Sequence, residues 1–241
     1  MTFDVGFIKD TLPLVLKACP TTLLVTLFPA VVGAVIGLFN ALSRMNNVLI
    51  AKQVFIVTNV YIRGVPLFVQ LFIGFYGFPK IINGIFFSGV SVFNSDTIPP
   101  IVTALVVFTV YANVYLSEII RGGLLSVDMQ QVEAAYSIGM TKTQAFIRIV
   151  IPQAFVVVLP NYFNFVMALL KNSSLVFGIL VMDMMAIAKI EAEAGYRYIE
   201  AYVMLVVIYV LLGYIFYRTF GAIENVVKKR MGGMLDAHPA N

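Results

Sequence analysis

Apolar residues fall in five runs long enough to cross a bilayer, for which a helix needs roughly 20 mostly apolar residues. The runs extend over about Thr21–Ser43, Val54–Phe78, Ile101–Ile120, Phe155–Met182 and Ala201–Phe220. They predict an all-α membrane protein with five transmembrane helices. Pro29 should kink the first, and Gly33-x-x-x-Gly37 on it permits close helix packing. Gly64 and Pro66 break the second, and Pro160 lies near the start of the fourth. Phe3–Cys19, apolar but interrupted by Lys9 and Asp10, reads as a short interfacial helix rather than a signal peptide. The connection Pro79–Pro99 carries Phe86-Phe87 and Val90–Phe93, which suggests that it lies on or partly enters the membrane surface. The chain divides into an N-terminal segment (1–19), one membrane domain (20–224) and a polar tail (225–241).

The polar stretch between the third and fourth runs has its own order. SVDMQQVEAAYSIGMTKTQAFIRIVIP, Ser126–Pro152, reads as two short helices meeting at a corner. Asp128 can cap the first helix with Gln131 as the capping-box partner, and Gly139 suits the left-handed position that ends it. Thr141 caps the second with Gln144 as partner, and Pro152 marks where the next segment begins.

Glu133-Ala134-Ala135, Gly139, Ile149 and Ile151-Pro152 match the "EAA" loop of permease subunits of ABC importers; Ile151 stands where that family usually has Leu. The resemblance implies a type I ABC importer-like fold and a cytoplasmic coupling helix that docks on an ATP-hydrolysing subunit. It gives that role to Glu133, Ala134, Ala135, Gly139 and Met140. With this loop inside, five spans put the N-terminus outside and the C-terminus in the cytoplasm. Nine basic residues (Arg44, Lys52, Arg121, Lys142, Arg148, Arg218, Lys228, Lys229, Arg230) then lie inside against five outside (Lys9, Lys17, Lys80, Lys189, Arg197). That is the positive-inside bias.

Composition agrees and excludes other classes. Hydrophobic residues make up 61% and charged residues 12% of 241, with mean hydropathy +0.95; soluble domains carry roughly 25% charged residues. The net charge of +4 sits at segment ends, which fits membrane flanks better than nucleic acid. One cysteine, Cys19, rules out an intrachain disulfide, and one histidine, His238, excludes a two-histidine metal site. No Gly-Lys dipeptide occurs, so the chain has no phosphate-cradling P-loop. The chain is not expected to be an enzyme or to hold a cofactor. ATP and Mg would belong to a separate ATPase.

Polar residues at membrane depth are the candidates for a pathway. Arg63-Gly64-Val65-Pro66-Leu67-x-x-Gln70 resembles the second-helix signature of polar amino acid permeases. Tyr115–Gly123, with Glu118 and Arg121 three apart, and Lys171-Asn172-Ser173-Ser174 resemble that subfamily too. Asn59, Arg63, Gln70, Asn113, Asn161, Asn164, Lys171, Asn172 and Ser173 are the candidate pathway residues; Arg63 could instead pair with Glu118 or a backbone carbonyl. The Met182–Met185 cluster reads as packing and Lys228–Arg230 as membrane-flank charge. The resemblance implies an importer permease of the histidine, glutamine, arginine and cystine kind, in the cytoplasmic membrane. The implied partners are two ATPase subunits, a second permease (identical or not), an external substrate-binding protein, the amino acid and membrane lipid. An ATP-independent secondary transporter or channel is the alternative, and a membrane scaffold a weaker one.

Overall fold

The computed structural model describes residues 3–87 and 98–235; the Val90–Phe93 surface segment and His238 lie outside them. Among the described residues the chain is helical and no strand occurs. Helix α1 (Val5–Lys17) bends at Ala18 into α2 (Cys19–Met45), and α3 (Leu49–Gly64) follows. A second long rod comprises α4 (Leu67–Phe72), a π turn (Ile73–Gly77) and α5 (Phe78–Phe86). Then come α6 (Pro100–Leu125), α7 (Met129–Ser137) and α8 (Lys142–Ala145). A second π turn (Phe146–Val150) leads into α9 (Ile151–Asn172), which tightens to a 3₁₀ segment (Ser173–Ile179). Helices α10 (Met184–Glu193) and α11 (Tyr198–Leu235) complete it.

Five stretches are long and apolar enough to span a bilayer: Val5–Met45, Leu67–Phe86, Pro100–Leu125, Lys142–Ile179 and Tyr198–Lys229. The first, third and fifth extend the expected runs, and the fourth begins earlier and ends at Ile179 rather than Met182. The second is broken at Val65, between Gly64 and Pro66 as expected, but the span-length stretch is the α4–α5 rod, Leu67–Phe86, rather than Val54–Phe78. Proline forces its predecessor out of helical geometry, and Val65 sits at φ −109°, ψ 129°. Helix α11 continues past the expected fifth span, through residue 235.

The α2–α6 pair forms the centre of the molecule. Gly33 and Gly37 let the two backbones meet: a Cβ on Gly33 would lie 2.6 Å from Ala112 Cβ and 3.1 Å from Asn113 N. Around this seam Val25, Leu71, Phe108, Leu116, Leu169 and Ile179 are fully or almost fully buried. Outward, large apolar side chains of α2, α3 and α11 stay exposed, the arrangement hydrocarbon favours. Gly33→Val should therefore overpack the seam by about 1–3 kcal/mol. The melting temperature in detergent should fall by roughly 3–10 °C. Gly122→Ala, where an added Cβ meets nothing within 4 Å, should leave it unchanged.

Helix α1 is docked rather than free. Its Phe7, Ile8, Leu12 and Val15 pack with Met184 and Ala188 of α10 and Ala201, Met204 and Leu205 of α11. Arg197 ties the assembly, 3.1 Å from Asp4 Oδ2 and 3.6 Å from Glu200 Oε1, while Asp4 N–H donates to Glu200 Oε1 at 3.2 Å.

Candidate functional site

The corner is built by local hydrogen bonds. Asp128 accepts from Gln130 N–H at 2.9 Å and starts α7. At the other end Met140 N–H donates to Ala135 O and Gly139 N–H to Tyr136 O, with Gly139 at φ +86°. This is the Schellman arrangement, and glycine fills its left-handed position without strain. Thr141 and Gln144 complete a reciprocal capping box at the start of α8. One expectation fails here: Gln131 makes no box with Asp128, and its Oε1 accepts instead from Gln153 Nε2 at 2.6 Å, bracing α7 against α9. Pro152 stands in the first turn of α9, where the next segment was expected to begin, and α8 leads into it through the π turn with Ile151 N–H donating to Phe146 O. The wide turn lies where a proline would have left an α-helical bond open.

The corner therefore has two faces. Val132 and Ala135 are buried with Leu124, Val127, Ala145, Val150 and Ala154, and Met140 packs against that cluster. Glu133, Ala134 and Gly139 are exposed. So are Met129 at 64% and Ile138 at 77%, two large apolar residues on a polar projection that the sequence reading did not single out. Their signal was present: apolar side chains at the two ends of a helix whose middle apolar positions are already needed inside.

The break between α3 and α4 is stitched by Gln70, which is 2% exposed. Its Nε2 donates to Ile62 O at 3.0 Å and Val65 O at 2.7 Å, carbonyls at or beside the end of α3 that no helical N–H reaches. Arg63 does not pair with Glu118. Its guanidinium lies 5.1 Å from the centroid of the Tyr115 ring, and no carboxylate lies within 4.0 Å of it among the described residues. Glu118 is taken by Arg44 at 2.8 Å and Arg121 at 3.1 Å, and Arg44 also stacks 3.7 Å from the Phe55 ring centroid. Glu118 and Arg121 do share a face as their spacing implied. Arg44 belongs to the last turn of α2.

The other polar candidates separate by burial. Ser173 is fully buried and donates to Leu170 O, and Asn113 keeps a buried Oδ1 beside the α2–α6 seam. Asn59 and Asn172 are half-buried. Lys171 and Ser174 line a mainly apolar groove of about 580 Å³ between α9 and α11, with Tyr202, Tyr209 and Met185. Asn161, exposed, donates to Val157 O, while exposed Asn164 lines a second and more polar α9–α11 groove with Arg218 and Glu224. The structure thus spreads the nine candidates over several places and does not gather them into one pocket. Of the expected methionine cluster, Met184 is fully buried in the α1–α10–α11 core, whereas Met182 is 49% exposed.

Residues 33–229 match the family described as the binding-protein-dependent transport system inner membrane component. The chain is 37% identical over 227 residues to the L-cystine transport system permease protein TcyL of Bacillus subtilis (strain 168), covering 94% of this chain and 92% of that protein. It is 34% identical over 230 residues to the octopine transport system permease protein OccM of Rhizobium radiobacter, covering 93% and 90%. Among solved structures it resembles a chain of an amino acid ABC transporter crystallised with histidines, with TM-score 0.79, 32% identity and 93% and 99% coverage. A chain of the inward-facing MetNI methionine ABC transporter shares the fold at TM-score 0.67 and 19% identity, covering 93% and 99%.

Proposed function

The chain belongs to the binding-protein-dependent transport system inner membrane components, and we propose that it is the permease through which an ATP-driven importer moves a polar amino acid across the cytoplasmic membrane. The corner is the observation that carries the coupling half of this reading. Two capped helices, a left-handed glycine and the Gln131–Gln153 brace make a polar projection that moves as one body with α9. The chain has no P-loop of its own, so ATP and Mg act on a partner ATPase. Glu133, Ala134 and Gly139, with Ile138 and Met129, present the face that this partner takes. Ala135 and Met140 contribute from behind by seating α7 on the membrane domain.

The amino acid assignment rests on relatives named for cystine and octopine transport, with about a third of positions identical over nearly the whole chain. Alternating access would use the breaks the fold provides: the α3–α4 hinge held by Gln70 and the grooves along α9 and α11. Arg63, Lys171, Asn59, Asn161, Asn164 and Asn172 are the pathway candidates with exposed or half-exposed polar atoms. Gln70 and Ser173, which are buried, and Asn113, whose Oδ1 is buried, serve the helix packing that shapes it. A second permease subunit, the same or different, would close the pathway, and an external binding protein would deliver substrate at the end away from the corner. The N-terminus is then outside and the corner and C-terminus are in the cytoplasm.

The test is uptake into proteoliposomes holding the permease, its co-expressed ATPase and the binding protein. Labelled L-cystine, L-glutamine, L-arginine and L-histidine are compared, and accumulation of at least one should require ATP and the ATPase. Accumulation by the permease alone, driven by an ion gradient, would replace this reading with a secondary transporter.

A further inference from the structure

The more polar α9–α11 groove has a volume of about 580 Å³ and a charge pattern of its own. Its lining includes Phe163 and Phe220, stacked with centroids 4.1 Å apart and planes within 2° of parallel. Arg218, Glu224 and Asn225 reach it from α11 and Asn164 from α9. Arg218 has no carboxylate within 4.0 Å among the described residues. Among the described residues Glu224 pairs with Lys228 alone, one turn on at 2.7 Å, and that lysine is 55% exposed, so the pair holds Glu224 weakly. Glu224 lies six positions beyond Arg218, about 9 Å along the helix axis, so the two opposite charges share a groove without satisfying each other.

Position adds to this. Helix α9 starts at the corner and α11 returns toward it. Counting from Tyr198, α11 has used about 20 residues by Arg218, the length that crosses the hydrocarbon. By this count the groove lies toward the corner-side end of α11.

We propose that this groove is a binding site for a free zwitterionic amino acid at the corner end of the pathway. Arg218 takes the carboxylate, Glu224 the ammonium, and the side chain lies against the Phe163–Phe220 pair. Guanidinium and carboxylate are the groups suited to charge-assisted bonds with those two ends, and a stacked aromatic pair accepts side chains of varied shape. The proposal rests on the amino acid reading above and adds a second, release-side site to it.

A phosphatidylethanolamine head group carries a similar pair of charges, so the experiment separates lipid from amino acid. The permease–ATPase complex, without binding protein, is placed in nanodiscs of phosphatidylcholine and phosphatidylglycerol. Equilibrium binding of labelled L-cystine, L-glutamine, L-arginine and L-histidine is then measured. Wild type should bind at least one of them, and Arg218→Ala and Glu224→Gln should each weaken it by roughly ten-fold or more. Arg218→Lys should recover part of the loss, and the matching decarboxylated amine should not compete. Adding phosphatidylethanolamine should leave binding intact. Unchanged binding in both charge variants, no binding at all, or displacement by phosphatidylethanolamine would overturn the site. ATP-driven uptake by the wild-type complex distinguishes the failures: if uptake persists, only the groove is wrong, and if it is absent the permease reading falls with it.

Discussion

Ile138→Asp and Glu133→Lys should each strip the ATPase from the permease in co-purification while leaving the membrane domain folded. Ile138 is 77% exposed at the end of α7, on a projection otherwise rich in polar groups, and it belongs to no buried cluster. Placing a carboxylate there removes an apolar anchor and puts an unpaired charge into the docked face. Central anchors of this kind carry about 2 kcal/mol or more, so Kd should rise at least about thirty-fold. Melting in detergent should not move, because the side chain is mostly exposed and belongs to no buried cluster. Gly139→Pro acts by another route: proline fixes φ near −65°, and the corner needs +86°. That variant should lose association through geometry, together with some stability. If Ile138→Asp and Glu133→Lys both bound the ATPase as wild type does, the exposed face of α7 would not be the docking surface.

The corner was legible because its signals are local. Asp128, Gly139 and the Thr141–Gln144 pair each act within four residues, and the structure returns all three. Gly33 and Gly37 were legible for a similar reason, since small residues one turn apart can only mean close approach. What escaped depends on partners far along the chain. Nothing near Arg44 announces that Glu118, 74 residues away, will take it, or that Phe55 will lie against its guanidinium. Gln70 looked like a pathway residue because an amide in an apolar run usually needs a reason. The reason is the carbonyls freed by Pro66, eight and five residues earlier on the other side of the break. The break itself was visible in Gly64 and Pro66, but hydropathy has no term for backbone geometry and ran the span straight through it.

Asp183→Asn should flatten the pH dependence of stability and raise the melting temperature at pH 7.5. Asp183 caps α10, with Oδ1 accepting from Ala186 N–H at 2.9 Å, yet it is fully buried and its Oδ2 has no partner among the described residues. Among the described residues no cation pairs with it: Lys189 of α10 lies over the Phe177 ring, and Arg197 is held by Asp4 and Glu200. Burial pushes its carboxyl up from 3.8 to about 6, against the pull of the backbone N–H groups at the helix start. Between those two values the folded chain keeps a proton that the unfolded chain has released. Stability is therefore lost as pH rises through this window, by about 3 kcal/mol in total, and is level above pH 7. At roughly 2–4 °C per kcal/mol, the wild-type melting temperature should drop several degrees from pH 4.5 to 7.5 in calorimetry. The asparagine variant keeps the acceptor that caps α10 and carries no titrating charge, so its curve should be flat and lie above wild type at pH 7.5. Asp183→Ala should be flat too but lower than asparagine by about 1 kcal/mol, the value of the cap. A slope in the asparagine variant equal to that of wild type would mean that the titration belongs to another group, and that the capping carboxylate of α10 is solvated when the protein folds.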